Sequence, residues 1–105
     1  MLNKEQILAI SSCLANPTRL SILGWLKQPD VHFPDHCVDI PHPEGVCMGM
    51  IAEKTGMSQS TVSTYLNKME RAGILVSTRI GKWSYYRRNE TVLDDYAQSV
   101  MAFEV

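Results

Sequence analysis

Apolar residues recur at helical spacing from the first turn of the chain. Ile7, Leu8, Ile10, Leu14 and Ala15 make a broad apolar face, which predicts a helix over 4–15. Asn16-Pro17 interrupts that run and restarts it, because Asn is a good N-cap and Pro is favoured at the first helical position. A second helix is expected over 17–27, with Leu20, Leu23, Trp25 and Leu26 as its stripe and Pro29 ending it. Residues 29–45 show no period; they hold four of the five prolines and all three histidines. From Val46 the pattern sharpens. A short helix over 46–55, with Met50 and Ile51 inward, stops at Gly56, and Ser58 caps a helix over 59–72 with Val62, Leu66 and Met69 on one face. Two β-rich runs, 74–78 and 83–88, flank Arg79-Ile80-Gly81-Lys82, the signature of a hairpin. Thr91 is expected to cap a last helix carrying Val92, Leu93, Tyr96, Ala97, Val100 and Met101, continued by Phe103.

Helix, glycine turn, helix and β-hairpin, in that order, predict a winged helix-turn-helix. The expected fold class is mainly α with a small β-hairpin, in the order α-α-α-α-β-β-α. Ala52 lets the two inner helices cross closely, Gly56 makes the turn, and Val62 packs the second helix on the first. Ile51, Met57 and Leu66 are expected to fill the remaining core positions. The chain is read as a single domain over 1–105 with an inserted Pro/His-rich loop at about 29–45. At 105 residues and 45% hydrophobic it is one domain's worth of chain, too apolar for a disordered tail.

Net charge is −1, which taken alone argues against nucleic acid, but the charge is segregated. Residues 58–90 carry Lys68, Arg71, Arg79, Lys82, Arg87 and Arg88 against Glu70 and Glu90, a local excess of +4 inside a neutral chain. The outward face of 59–72 presents Gln59, Ser60, Ser63, Thr64, Asn67 and Lys68. These short or forked hydrogen-bonding side chains suit base edges and phosphates in a major groove. Gln59, Ser60, Ser63 and Thr64 are the expected base contacts; Ser58, Thr61, Lys68, Arg79 and Lys82 are expected on the DNA backbone. The competing reading is a winged-helix module for protein contacts, its polar face merely solvated.

Three segments together resemble the ArsR/SmtB family of transcriptional repressors. They are Leu14-Ala-Asn-Pro-Thr-Arg-Leu-Ser-Ile-Leu23, Ser58-Gln-Ser-Thr-Val-Ser-Thr-Tyr-Leu66, and the wing from Gly73-Ile-Leu-Val through Arg79-Ile-Gly-Lys to Tyr85-Tyr86. The resemblance implies a homodimer joined through the first and last helices, an operator of two half-sites, and repression by occupying a promoter. The apolar stripes at both chain ends agree with such a dimer. In metal-sensing members the helix before the turn bears Cys-x-Cys; here Val46-Cys47-Met48-Gly49 lacks the second thiol. A carboxylate–histidine set on the last helix is also missing, since no histidine follows His42.

What the insertion does offer is His32, His36, Cys37, His42 and Cys47, a donor set of the kind zinc or another transition metal prefers. Its spacing fits no tight knuckle, and solvated histidines are the competing reading. Cys37 and Cys47 are also the candidate pair for a reversible thiol switch, whereas Cys13 is expected to pack between helices. Catalysis is not expected. Pro34 spoils a helix between His32 and His36, the metalloprotease glutamate is missing, and there is no phosphate-cradling glycine loop. No secretory signal opens the chain, no apolar run approaches the about 18 residues of a membrane span, and three unframed cysteines suit a reducing compartment. A cytoplasmic protein with duplex DNA as partner, and no membrane, is the expectation.

Overall fold

The computed structural model describes residues 1–34 and 44–104. In chain order the elements are α1 (Lys4–Leu14), α2 (Pro17–Trp25), α3 (Pro29–His32), β1 (Val46–Cys47), α4 (Met48–Thr55), α5 (Gln59–Arg71), β2 (Leu75–Ile80), β3 (Trp83–Arg88) and α6 (Glu90–Met101). The three strands form one antiparallel sheet in the order β1-β3-β2.

Side-chain caps set the helix starts. Asn3 and Gln6 close a reciprocal capping box on α1, each side chain bonding the other's backbone N–H at 2.8 Å. Asn16 accepts from the Arg19 amide at 3.0 Å and Pro17 occupies the first turn, so the Asn-Pro pair begins α2 as expected. The α1–α2 corner bends by 96°. Arg19 locks it, its Nε donating to the Cys13 carbonyl at 2.6 Å while its guanidinium lies 5.2 Å from the Tyr65 ring of α5. A charged residue of α2 thus caps the end of α1 and rests against α5, which explains its burial to 9% exposure.

Several expectations need correcting. The inward face of α2 is Arg19, Ile22 and Leu23, with Leu26 just beyond it; Leu20 is 54% exposed because it falls outside that i, i+3, i+4, i+7 phase. Pro29 does more than end α2, since it opens the helical turn of α3, which delivers Phe33 into the core. The 46–55 helix starts two residues late. Val46 and Cys47 form a strand opposite Tyr86 and Tyr85, a pairing between distant segments that no local pattern encodes. Gly45, at φ +97°, lets the chain enter that strand; any Cβ there would collide with the Tyr86 carbonyl. Met57 lies in the turn after Gly56 and is exposed rather than in the core. Asn89, not Thr91, caps α6, its side chain accepting from the Val92 amide at 3.2 Å. The observed order therefore adds a short helix and a strand to the expected α-α-α-α-β-β-α.

The hydrophobic core joins Ile10 and Cys13 of α1, Ile22, Leu23 and Leu26, Ile51 and Ala52 of α4, Val62, Leu66 and Met69 of α5, and Val46, Ile74, Leu75 and Tyr86 at the sheet. The helix-turn-helix packs as its spacing predicts: Ala52 and Val62 are both buried, and Gly56 takes the left-handed conformation at φ +73° that ends α4. Among the described residues no single helix is long and apolar enough to cross a membrane; α1 and α2 qualify only as a bent pair.

Candidate nucleic-acid interface

The outward face of α5 begins at its cap. Ser58 accepts from the Thr61 amide at 3.3 Å, and its hydroxyl lies 2.9 Å from the Thr61 hydroxyl and 3.2 Å from that of Ser60. These three exposed residues surround the first free backbone amides of the helix, the positive end of its dipole. One turn further on, Thr64 donates back to the Ser60 carbonyl at 3.1 Å, which leaves the hydroxyl oxygen's lone pairs outward.

Beyond the cap, α5 and the hairpin enclose a groove of about 460 Å³. Its walls include Gln59, Ser63 and Asn67 from α5 and Arg79, Lys82 and Trp83 from the wing. Sequence order alone does not bring these together. The register does, pairing Arg79 with Ser84 and Ile80 with Trp83 so that the hairpin end stands beside α5. The start of α4 borders the same groove, and Gly49 sits close enough to Gln59 that a Cβ there would come within 4.0 Å of its Nε2. A second recess of about 370 Å³ on the same helix is bordered by Thr64, Asn67, Lys68 and Arg71. Arg71 was not singled out from sequence, though it follows Thr64 and Asn67 on the same helical phase.

The tip is shaped by its own contacts. Arg79 Nε donates to the Gly81 carbonyl at 3.2 Å, and Lys82 Nζ stands 5.4 Å from the Trp83 ring centroid. Arg88, part of the basic stretch, is engaged in structure instead. Its guanidinium donates to the Leu23 carbonyl at 3.1 Å and pairs with Glu90, whose Nε–O distance is 2.9 Å. The basic surface is thus narrower than the charge sum implied, and concentrated where α5 meets the wing. Beneath it the sheet is tied to α5, Ser77 donating to Glu70 at 2.6 Å. Burial pushes the Tyr86 phenol above its ordinary range, with the Glu70 carboxylate adding to the effect.

The sequence profile described as "Bacterial regulatory protein, arsR family" matches residues 46–77, the stretch from β1 through α4 and α5 into β2. The HTH-type transcriptional regulator YbzH of Bacillus subtilis is 43% identical over 88 residues, covering 84% of this chain and 88% of that protein. The chain belongs to the arsR family of bacterial regulatory proteins. It is a transcriptional regulator with a winged helix-turn-helix DNA-binding fold, in a family of regulators rather than enzymes. The transcriptional repressor SdpR of Bacillus subtilis is 29% identical over 94 residues, 90% of this chain and 88% of its own length. Among solved structures, the homodimeric winged helix-turn-helix DNA-binding domain Mb0332 of Mycobacterium bovis superposes with a TM-score of 0.67 at 28% identity. It covers 92% of this chain and 77% of the solved domain.

The candidate metal and redox residues fare differently in this arsR-family regulator. His32 closes α3 and borders a recess of about 160 Å³ shared with Phe33, Pro34, Met50, Glu53 and Lys54. Cys47 pairs with Tyr85 in the sheet as a half-buried free thiol. Among the described residues no three of His, Cys, Asp and Glu gather into a metal-holding group. His36, Cys37 and His42 lie outside the described residues, so neither the five-donor set nor the Cys37–Cys47 pair can be assembled from those that are described. Cys13 is fully buried in the core, and that burial raises its thiol pKa, opposed by the nearby Arg19 and Lys68 charges.

Proposed function

We propose that this regulator is a repressor that binds duplex DNA as a homodimer in the cytoplasm, the whole chain acting as one winged-helix unit with 29–45 inserted in it. The observation that carries this reading is the single groove shared by Gln59, Ser63 and Asn67 of α5 and by Arg79 and Lys82 of the wing. Gln59 and Ser63 within this groove, with Ser60 and Thr64 elsewhere on the exposed side of α5, read base edges in the major groove of DNA. Ser58, Thr61, Lys68, Arg79 and Lys82 hold the phosphate backbone and fix the register. Repression follows from occupancy of a promoter, and the likeness to SdpR supports it.

Dimerisation runs through α1 and α6. The two helices lie side by side within the chain, joined by Leu2 N donating to Ser99 Oγ at 3.0 Å and by the Ser11 and Tyr96 hydroxyls 2.7 Å apart. On their outer side, Leu8 (57% exposed), Val100 and Phe103 line an open apolar recess of about 440 Å³ together with Ile7 and Tyr96. Apolar side chains of this size and grouping are what a two-fold partner would cover, and the solved Mb0332 domain is homodimeric.

The test is fluorescence anisotropy of a labelled duplex spanning the gene's own promoter, titrated at two salt concentrations and against a scrambled duplex. Binding that favours the promoter and weakens with salt supports the reading. The Lys82→Ala protein should bind all duplexes more weakly and lower the salt slope by about one unit. An unchanged slope would remove the wing from the interface. Repeating the titration with zinc, chelator and oxidant decides between metal-controlled and thiol-controlled release. Equal, weak binding to both duplexes at low salt would instead make the chain a protein-interaction module.

A further inference from the structure

Two large apolar side chains stand in water at the hairpin tip, where a soluble turn would ordinarily carry polar groups. Trp83 is 55% exposed and Ile80 42% exposed. They are direct cross-strand partners, the last pair before the Gly81-Lys82 turn, so both project from the same face of the ribbon. We propose that the Ile80–Trp83 pair is an apolar wedge that enters the minor groove of duplex DNA beside the half-site and reads the deformability of a base step there. This rests on the DNA-binding reading above and adds a specificity-determining element to it.

Three features of the tip choose DNA as the occupant. First, the pair is flanked by cations. Lys82 Nζ lies over the Trp83 ring at 5.4 Å, and Arg79 is bonded to the turn through the Gly81 carbonyl. A protein partner seated on Trp83 would have to desolvate both charges, whereas the phosphates lining a minor groove would neutralise them. Second, Trp83 borders the same groove as Gln59 and Ser63, so a duplex laid against α5 continues onto the tip. Third, the tip is braced. Six consecutive pairs join β2 to β3, and β1 flanks β3 on its other side. A wedge needs that stiffness, because opening a stacked base step works against the duplex's own elasticity.

Apolar side chains inserted from the minor groove unstack a step without hydrogen-bonding its edges. They therefore favour steps that unstack easily, such as TA and CA/TG. Selectivity of this kind should appear about half a helical turn, roughly 5 base pairs, from the position read by α5.

The test is enrichment of duplexes from a pool with a randomised central segment, run with the wild-type chain, Trp83→Ala, Trp83→Leu and Ile80→Ser. Anisotropy and end-to-end energy transfer on one enriched duplex then follow. The wild-type chain should enrich a flexible step at the flanking position. Trp83→Ala should lose that preference and about tenfold in affinity, while keeping the sequence read by α5 and the salt slope, because no charge is removed. Trp83→Leu should retain part of both. Ile80→Ser should lose less than Trp83→Ala. End-to-end distance should lengthen towards that of free duplex in Trp83→Ala. Circular dichroism checks the fold of each variant, and should Trp83→Ala unfold, Trp83→Leu and Ile80→Ser decide. Variants that enrich the same sequences with the same affinity and bend would overturn the wedge alone. A wild-type chain that enriches nothing would overturn the DNA reading, and the wedge with it.

Discussion

Replacing Arg19 by Ala would remove two interactions from one buried point. The Cys13 carbonyl at the end of α1 would lose its 2.6 Å donor, and the Tyr65 ring would lose the guanidinium 5.2 Å away. A buried carbonyl left without a partner costs about 1–3 kcal/mol. A largely desolvated cation–π contact contributes about 0.5–2 kcal/mol. Because the two share one side chain they do not add fully, and a loss of about 2–4 kcal/mol is expected. For a chain of this size that lowers Tm by roughly 10–25 °C. Protein concentration must be held fixed, since the proposed homodimer would couple association to unfolding. Arg19→Lys keeps a charge near Tyr65 but not the planar Nε–H, so it should fall between wild type and Arg19→Ala. In a double-mutant cycle with Tyr65→Ala the coupling should be about 0.5–2 kcal/mol. An Arg19→Ala protein within about 0.5 kcal/mol of wild type would refute the corner-locking role. Full stability in Arg19→Lys would refute the carbonyl cap.

Four further substitutions test single sites. Gly45→Ala should cost about 2 kcal/mol or more in urea unfolding, because φ is +97° and the new methyl meets the Tyr86 backbone. Gly24→Ala, in an open position of α2, should instead stabilise by about 0.5–1 kcal/mol. The raised pKa of Tyr86 means the folded chain holds that phenolic proton to higher pH than the unfolded chain. Its contribution is complete below about pH 10 and is lost as pH rises through the folded value, so Tyr86→Phe should flatten the alkaline limb of a stability–pH curve. Leu8→Asp should shift the chain towards monomer in light scattering and weaken binding to a two-half-site duplex. An unchanged dimer would move the interface away from α1 and α6.

Much of this protein is written locally. The Asn16-Pro17 restart, the Gly56 stop, the Ser58 cap and the Val62–Leu66–Met69 face each depend on a few neighbouring residues, because capping and helical periodicity act over one or two turns. The polar face of α5 follows from the same periodicity, so its candidate contacts are legible in the sequence. Tertiary structure decided what depends on distant partners. β1 exists because Val46 and Cys47 find β3, forty residues away in sequence, and a strand edge has no local signature. Arg88 counts towards the basic excess of 58–90 until the Leu23 carbonyl claims it, and nothing local marks Arg19 as the buried donor to the Cys13 carbonyl. Charge sums count side chains, whereas only packing assigns them to core or surface. Trp83 depends on tertiary structure for the same reason, since an aromatic residue beside a turn packs under the hairpin or stands outside it according to register. That register, joining Ile80 to Trp83 at the tip and bringing Arg79 and Lys82 beside Gln59 and Ser63, is what turns a polar helix and a basic hairpin into one groove.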